Sequence, residues 1–192
     1  AVVPLWVDGY HHTVITELIL RAGALPGGFR PFADVDGFYY HFGFHALAAQ
    51  VAWLAGASAP RAVLWVGQAL NAATAVTLWL LARRLTGSRW AAAAAAAVPA
   101  GLFHFPAYFL TWGRYTQLAA LAALPAAVCL LWAAIAAAPR RATRAVPAAA
   151  VVSAGLVLLH YRVAVIYALC ALVMACGALR GPGARGRVLR LS

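Results

Sequence analysis

Lysine is absent from these 192 residues, and acids number only four: Asp8, Glu17, Asp34 and Asp36. Charged residues make up 10% of the chain, where a soluble domain carries about 25%. No acid follows Asp36, and all fifteen basic residues are arginine, so the formal charge is +11. That charge does not describe a nucleic-acid binder. The arginines stand in short clusters between apolar runs, not along one face of a soluble fold. Cysteine is also scarce: Cys129, Cys170 and Cys176 lie inside apolar runs, with no CxxC pair. They read as small buried hydrophobes, and exclude a disulfide framework or a cysteine zinc site. There is no HExxH motif, no flexible linker and no internal repeat.

What is abundant is apolar: 65% of the residues are hydrophobic. This predicts a single all-α membrane domain over 1–192, a polytopic bundle of about five spans with juxtamembrane helices on the outer surface. Residues 1–60 form the outer segment, 61–179 the transmembrane helices, and 180–192 a basic cytoplasmic tail. Within the first segment, Val14, Leu18 and Ala22, with Ile15 and Ile19 beside them, predict a short amphipathic helix over 10–24. Gly23, Pro26, Gly27, Gly28 and Pro31 end it in a loop. Spans are expected at 61–82, 90–110 and 115–138. Residues 147–179 would reach about 50 Å as one helix, too long for a hydrocarbon core of about 30 Å. His160-Tyr161-Arg162 divides them into two shorter helices. The chain opens without an initiator Met or signal peptide, and reads as a piece of a longer protein with a span before Ala1.

Arginine placement sets the orientation. Arg83, Arg84, Arg89, Arg140, Arg141, Arg144, Arg180, Arg185, Arg187 and Arg190 fall on the cytoplasmic side. The outer side then holds five arginines and all four acids, a net +1. This follows the positive-inside rule, and requires that 38–56 dip into or lie along the outer leaflet without crossing.

Few residues on the outer side can carry chemistry. Asp8, in Trp6-Val7-Asp8-Gly9-Tyr10-His11-His12, is a candidate general base or the N-cap of the first helix; the roles can coexist. Asp34 and Asp36 form a pair suited to a sugar hydroxyl, a metal or simple turn formation. His41 and His45 are four apart and share a face if helical, a metal-ligand spacing without a third ligand. His11 and His12 are adjacent and cannot point the same way on a helix. Trp112 and Tyr115 fit an interfacial aromatic belt, which leaves Arg114 unexplained; Gln117 follows at the mouth of a span. His160 and Arg162 fall at membrane depth. There an ionisable group needs a structural ion pair or an anionic ligand such as phosphate.

In order and spacing these pieces resemble the GT-C superfamily of membrane glycosyltransferases, which includes protein mannosyltransferases, aminoarabinose transferases and oligosaccharyltransferase catalytic subunits. The resemblance rests first on Asp8-Gly9-Tyr10-His11-His12, leading to Arg21-Ala22-Gly23-Ala24-Leu25-Pro26. Tyr39-Tyr40-His41-Phe42-Gly43-Phe44-His45 is similar to a Tyr-x-x-Gly segment. Leu80-Leu81-Ala82-Arg83-Arg84-Leu85-Thr86-Gly87 is similar to a Leu-Ala-Arg-Arg-Leu-x-Gly turn. The likeness covers nearly the whole chain, through individually degenerate motifs. It implies an inverting transfer, on the outer face of the membrane, from a polyprenyl-phosphate-linked sugar to an acceptor whose identity it leaves open; the alanine richness, with arginine and no lysine, points separately to a GC-rich bacterial genome and so to an inner membrane. Asp8 aligns with the family's catalytic Asp. Arg114, His160 and Arg162 would hold the lipid phosphate. His11, His12, Asp34, Asp36, His41, His45, Trp112 and Gln117 make up the candidate substrate-binding set. Several members carry a second acid in the loop equivalent to 104–114, which here has none, so no metal cofactor is assigned. The alternatives are a transporter or flippase-like subunit binding a lipid-linked anion, and a non-catalytic assembly subunit. A transporter should show repeated halves.

Overall fold

The computed structural model describes residues 3–136 and 139–180, with no side-chain detail at 139–143 or 180. The basic tail expected at 180–192 lies almost wholly outside the described residues. The regular elements among them are helices, joined by loops of which 23–42 is the longest. No strand occurs among them; one isolated bridge pairs Gly28 with Asp36. Eight helices follow in order: α1 Trp6–Ala22, α2 Gly43–Ala55, α3 Ala59–Thr86, α4 Arg89–Ala97, α5 Tyr108–Thr111, α6 Tyr115–Ala136, α7 Pro139–Leu159 and α8 Tyr161–Arg180. A π-helical turn, Val98–Leu102, extends α4.

Among the described residues, three helices are long and apolar enough to cross a membrane: Ala59–Thr86, Tyr115–Ala136 and Tyr161–Leu179. Gly43–Ala55 and Arg144–Leu159 are shorter apolar helices. The expected span over 90–110 is not one continuous helix. Pro99 removes a backbone donor, the chain passes into the π turn, and Phe103 is extended.

α6 is the central element, touching α2, α3, α5, α7 and α8. Its first turns join Tyr115 and Ala119 to Phe44, Ala48, Val63 and Val66. Further along, Ala120 and Ala127 pack with Leu156, Val163 and Tyr167 of α7 and α8. Small side chains let these backbones approach closely. At Gly67 of α3 a Cβ would fall 2.5 Å from the Tyr115 ring, so only glycine admits the tyrosine there. Outward, α8 leaves Val165, Leu169, Leu172 and Val173 exposed. Such a surface suits lipid and not water.

α2 runs antiparallel to the start of α3. Phe44 and Ala48 meet Val63 and Val66, and Gly43 lies against the backbone of Leu158 and Leu159. α3 has 28 residues, or about 42 Å, against the roughly 20 residues a span needs. Gly67 meets Tyr115, the first residue of α6, so the first two turns of α3 extend past the start of α6, and Phe44 and Ala48 of α2 pack near there on Val63 and Val66.

The break expected at 160 is present: His160 separates α7 from α8. Its N–H donates to the Leu156 carbonyl and its own carbonyl accepts from Ala164. The helices then turn back toward each other, as Ser153 Oγ and Tyr167 Oη, fourteen residues apart in sequence, meet at 2.6 Å. α7 begins at Pro139, earlier than expected; its 21 residues reach about 31 Å. A half-length helix is therefore not the reason for any burial of Arg162.

Candidate functional site

The first helix starts four residues earlier than its hydrophobic pattern suggests, and this changes the account of Asp8. The N-cap is Leu5, with no side-chain cap bond, and Asp8 lies within the first turn. Asp8 is therefore not a cap. A carboxylate in a first turn faces the positive end of the helix dipole, which favours its charge. Its Oδ2 lies 2.8 Å from Arg114 Nε, both side chains being about two-fifths exposed. The Nε–H makes no hydrogen bond, so the contact is an ion pair without an aligned donor. The guanidinium also sits 4.4 Å over the Trp112 ring. Trp112 thus acts as more than a membrane-belt residue: it covers one face of the arginine.

Gly113, between them, adopts a left-handed φ of +71°. A Cβ there would lie 2.6 Å from the Gly9 nitrogen and 2.9 Å from the Leu5 carbonyl oxygen. The 112–114 turn therefore lies directly on the backbone of α1, through two glycines. This brings together residues 106 positions apart, Asp8 and Arg114.

One turn after Asp8, His12 is buried and its Nδ1 meets His45 Nε2 of α2 at 2.8 Å. His11 points outward, as adjacency required. His41 and His45 do not act as a pair. His41 precedes α2, stacks on Tyr40 at 4.1 Å between centroids, and meets the His160 ring edge-on at 4.8 Å. Tyr40 lies beside His12, His41 and His45. Four histidines from α1, the 38–42 segment, α2 and the α7–α8 corner thus line one continuous aromatic cluster.

Burial sets their protonation. It holds His12 down at about 3, helped by the neighbouring His41, and holds His41 at about 4, helped by His160. His45 is also held well below its ordinary value by burial and then by His12. Burial pushes the Tyr40 hydroxyl up. At neutral pH the three histidines are therefore uncharged, able to accept or donate hydrogen bonds but not to act as cations. His41 Nε2, His45 Nδ1 and His160 Nδ1 are buried without a partner.

The remaining sequence candidates sit apart or at the edge. Arg162 is exposed, its Nε donating to the Tyr161 hydroxyl at 3.0 Å. No carboxylate pairs with it among the described residues. Asp34 and Asp36 are both engaged by Arg30 within the 23–37 loop, and all three side chains are well exposed. Gln117 is half-buried on α6. Among the described residues, no group of three or more His, Cys, Asp or Glu side chains is arranged to hold a metal ion. Reading the sequence did not single out Tyr40 or the Gly9–Gly113 contact. The two glycines flank the aspartate and the arginine, and that was the available signal.

A helical bundle with apolar outer faces and a polar, aromatic cluster at one end defines the chain as an α-helical membrane protein. It belongs to DUF6541, a family of unknown function whose model matches residues 2–191. No curated protein and no solved structure matches the chain.

Proposed function

We propose that the chain is the catalytic part of a GT-C-type glycosyltransferase, acting at the outer face of the membrane on a polyprenyl-phosphate-linked sugar. In this reading five segments cross: α3, the interrupted α4–α5 stretch, α6, α7 and α8. Residues 1–58 and the Trp112–Arg114 turn stand outside. The placement of Arg83, Arg84 and Arg89 at the far end of α3 from this cluster supports that orientation.

The observation that carries the proposal is the Asp8–Arg114 pair beside the uncharged histidine cluster. The carboxylate contacts the Nε edge; no hydrogen bond or ion pair among the described residues uses the Nη nitrogens. A guanidinium offers five donors in a planar fork, so one edge can hold Asp8 while the other takes a phosphate. Carboxylate and leaving group are then held on opposite sides of one cation.

The acceptor hydroxyl gives its proton to Asp8 as its oxygen attacks the anomeric carbon. The bond from that carbon to the phosphate oxygen breaks, and its electron pair stays on the lipid phosphate. Arg114 carries the developing phosphate charge, with His160 and Arg162 at the neighbouring corner. One displacement inverts the anomeric centre.

The test is transfer by the full-length protein in nanodiscs, supplied with polyprenyl-phosphate-linked pentoses and hexoses. Asp8→Asn should lower turnover by about 10²–10⁴-fold, the usual contribution of a general base, with donor binding retained. Wild-type turnover in Asp8→Asn removes the proposed mechanism.

A further inference from the structure

Asp8 and His12 are four residues apart on α1 and so share a face of that helix. Each is fastened to a different neighbour. Asp8 pairs with Arg114, while His12 meets His45 of α2 through nitrogens 2.8 Å apart. The ring centroids are 5.0 Å apart, close to the N···N distance plus the two ring radii. The two nitrogens therefore face each other along the line joining the rings, the geometry of a direct N–H···N bond.

Main-chain carbonyls lie beside both rings, Gly113 at His12 and His41 at His45. A neutral imidazole has one N–H and one bare nitrogen, so one ring donates across the 2.8 Å contact and the other accepts. The pair is 2% and 0% exposed, so water cannot replace the bond. Phe44 and Tyr115 meet the edges of His12 and fix its ring plane.

We propose that the His12–His45 bond is a latch that positions the Asp8 carboxylate. It sets the rotation of α1 against α2, and with it the seat of the Trp112–Arg114 turn, which lies on the Gly9 backbone of the same helix. Asp8 and Arg114 then meet as a consequence. The geometry is independent of the reaction; only its use in catalysis rests on the glycosyltransferase reading. His12 and His45 are positioning residues and touch no reacting atom.

The experiment reads the latch without an assay of transfer. Full-length protein labelled with ¹⁵N-arginine is held in nanodiscs, and the Arg114 Nε–H resonance is assigned from its loss in Arg114→Lys. Asp8→Asn should shift that resonance, which calibrates the ion pair. His45→Leu removes the ring nitrogen that meets His12 and should produce the same shift. His45→Gln places a side-chain amide, which can donate or accept, where the imidazole Nε2 stood and should restore the native resonance. If His45→Leu does not yield folded protein, His12→Phe keeps the ring packing while removing both nitrogens, and should give the same shift. An unchanged Arg114 resonance in the folded His45→Leu or His12→Phe protein overturns the latch.

Transfer by the same variants then addresses its use. A misplaced carboxylate should lower turnover by about 10- to 100-fold, with recovery in His45→Gln. A shifted Arg114 resonance with unaltered transfer would leave the latch standing and count against Asp8 as the base.

Discussion

Arg114 is the residue on which most of the site converges. It sits 2.8 Å from Asp8, covers Trp112 and follows the glycine that lies on α1. Arg162, which the sequence places at membrane depth, has its side chain exposed beside Tyr161, with no carboxylate partner among the described residues. The two should differ under substitution. Arg162→Ala should leave the melting temperature of detergent-solubilised protein nearly unchanged, since exposed substitutions stay within about 0.5 kcal/mol. Arg114→Ala should lower it measurably, and Arg114→Lys should recover only part, because an ammonium cannot present the same fork. Equal melting of the two alanine variants would contradict the described contacts.

The histidines make a second residue-scale prediction. His12 and His41 are held at about 3 and about 4, below the ordinary value of 6.5, and His45 is lowered too. Between those values and 6.5 the unfolded chain binds more protons than the folded one. Their contribution to stability is therefore complete above about pH 6.5 and is lost as pH falls toward 4. Thermal melts across pH 4–8 should show that decline, and His12→Phe or His41→Phe should flatten it. A profile unaffected by either substitution would mean that these rings do not titrate on unfolding.

At the scale of elements, the contact that aligns α3 with α6 is a glycine against an aromatic ring. Gly67→Ala would place a methyl 2.5 Å from Tyr115 Cε1, so the ring must move. Overpacking of this kind costs about 1–3 kcal/mol. Tyr115→Leu vacates that space, so the double variant should be more stable than the two losses added together predict. A double-mutant cycle checks the coupling, and strict additivity would show that the two residues do not meet. Element boundaries were harder to foresee than element existence. The periodic residues after Tyr10 point to α1, but Trp6, Val7 and Asp8 precede that pattern and are still helical. The π turn at Val98–Leu102 follows from Pro99, which hydropathy does not register.

For the whole molecule, the proposed orientation has a direct check. Cysteines introduced near Arg84 and Arg141 should be protected from a membrane-impermeant reagent in intact cells, and one near Asp34 should be labelled. Labelling near Arg141 from outside would reverse the scheme. α3 and α6 remain the frame in either orientation, since the buried cluster around Phe44, Val66 and Tyr115 depends on packing and not on sidedness.

The sequence by itself determined the class. A chain with one charged residue in ten, and with most of its arginines clustered between apolar runs long enough to span, reads as a bundle of membrane helices. It also marked Gly23 and His160 as places where helices stop, because a Gly/Pro-rich loop and the polar triplet at 160 are local signals. Only the tertiary structure decided which polar groups meet. His12 and His45 are 33 residues apart, and Asp8 and Arg114 are 106 apart. Their meeting depends on the rotation of helices whose sides are apolar almost all round. Hydrophobic periodicity fixes a helix's rotation when one face must leave water. In an alanine-rich bundle within lipid, close approach at Gly9, Gly67 and Gly113 fixes it instead, and that complementarity appears only when the helices are packed together.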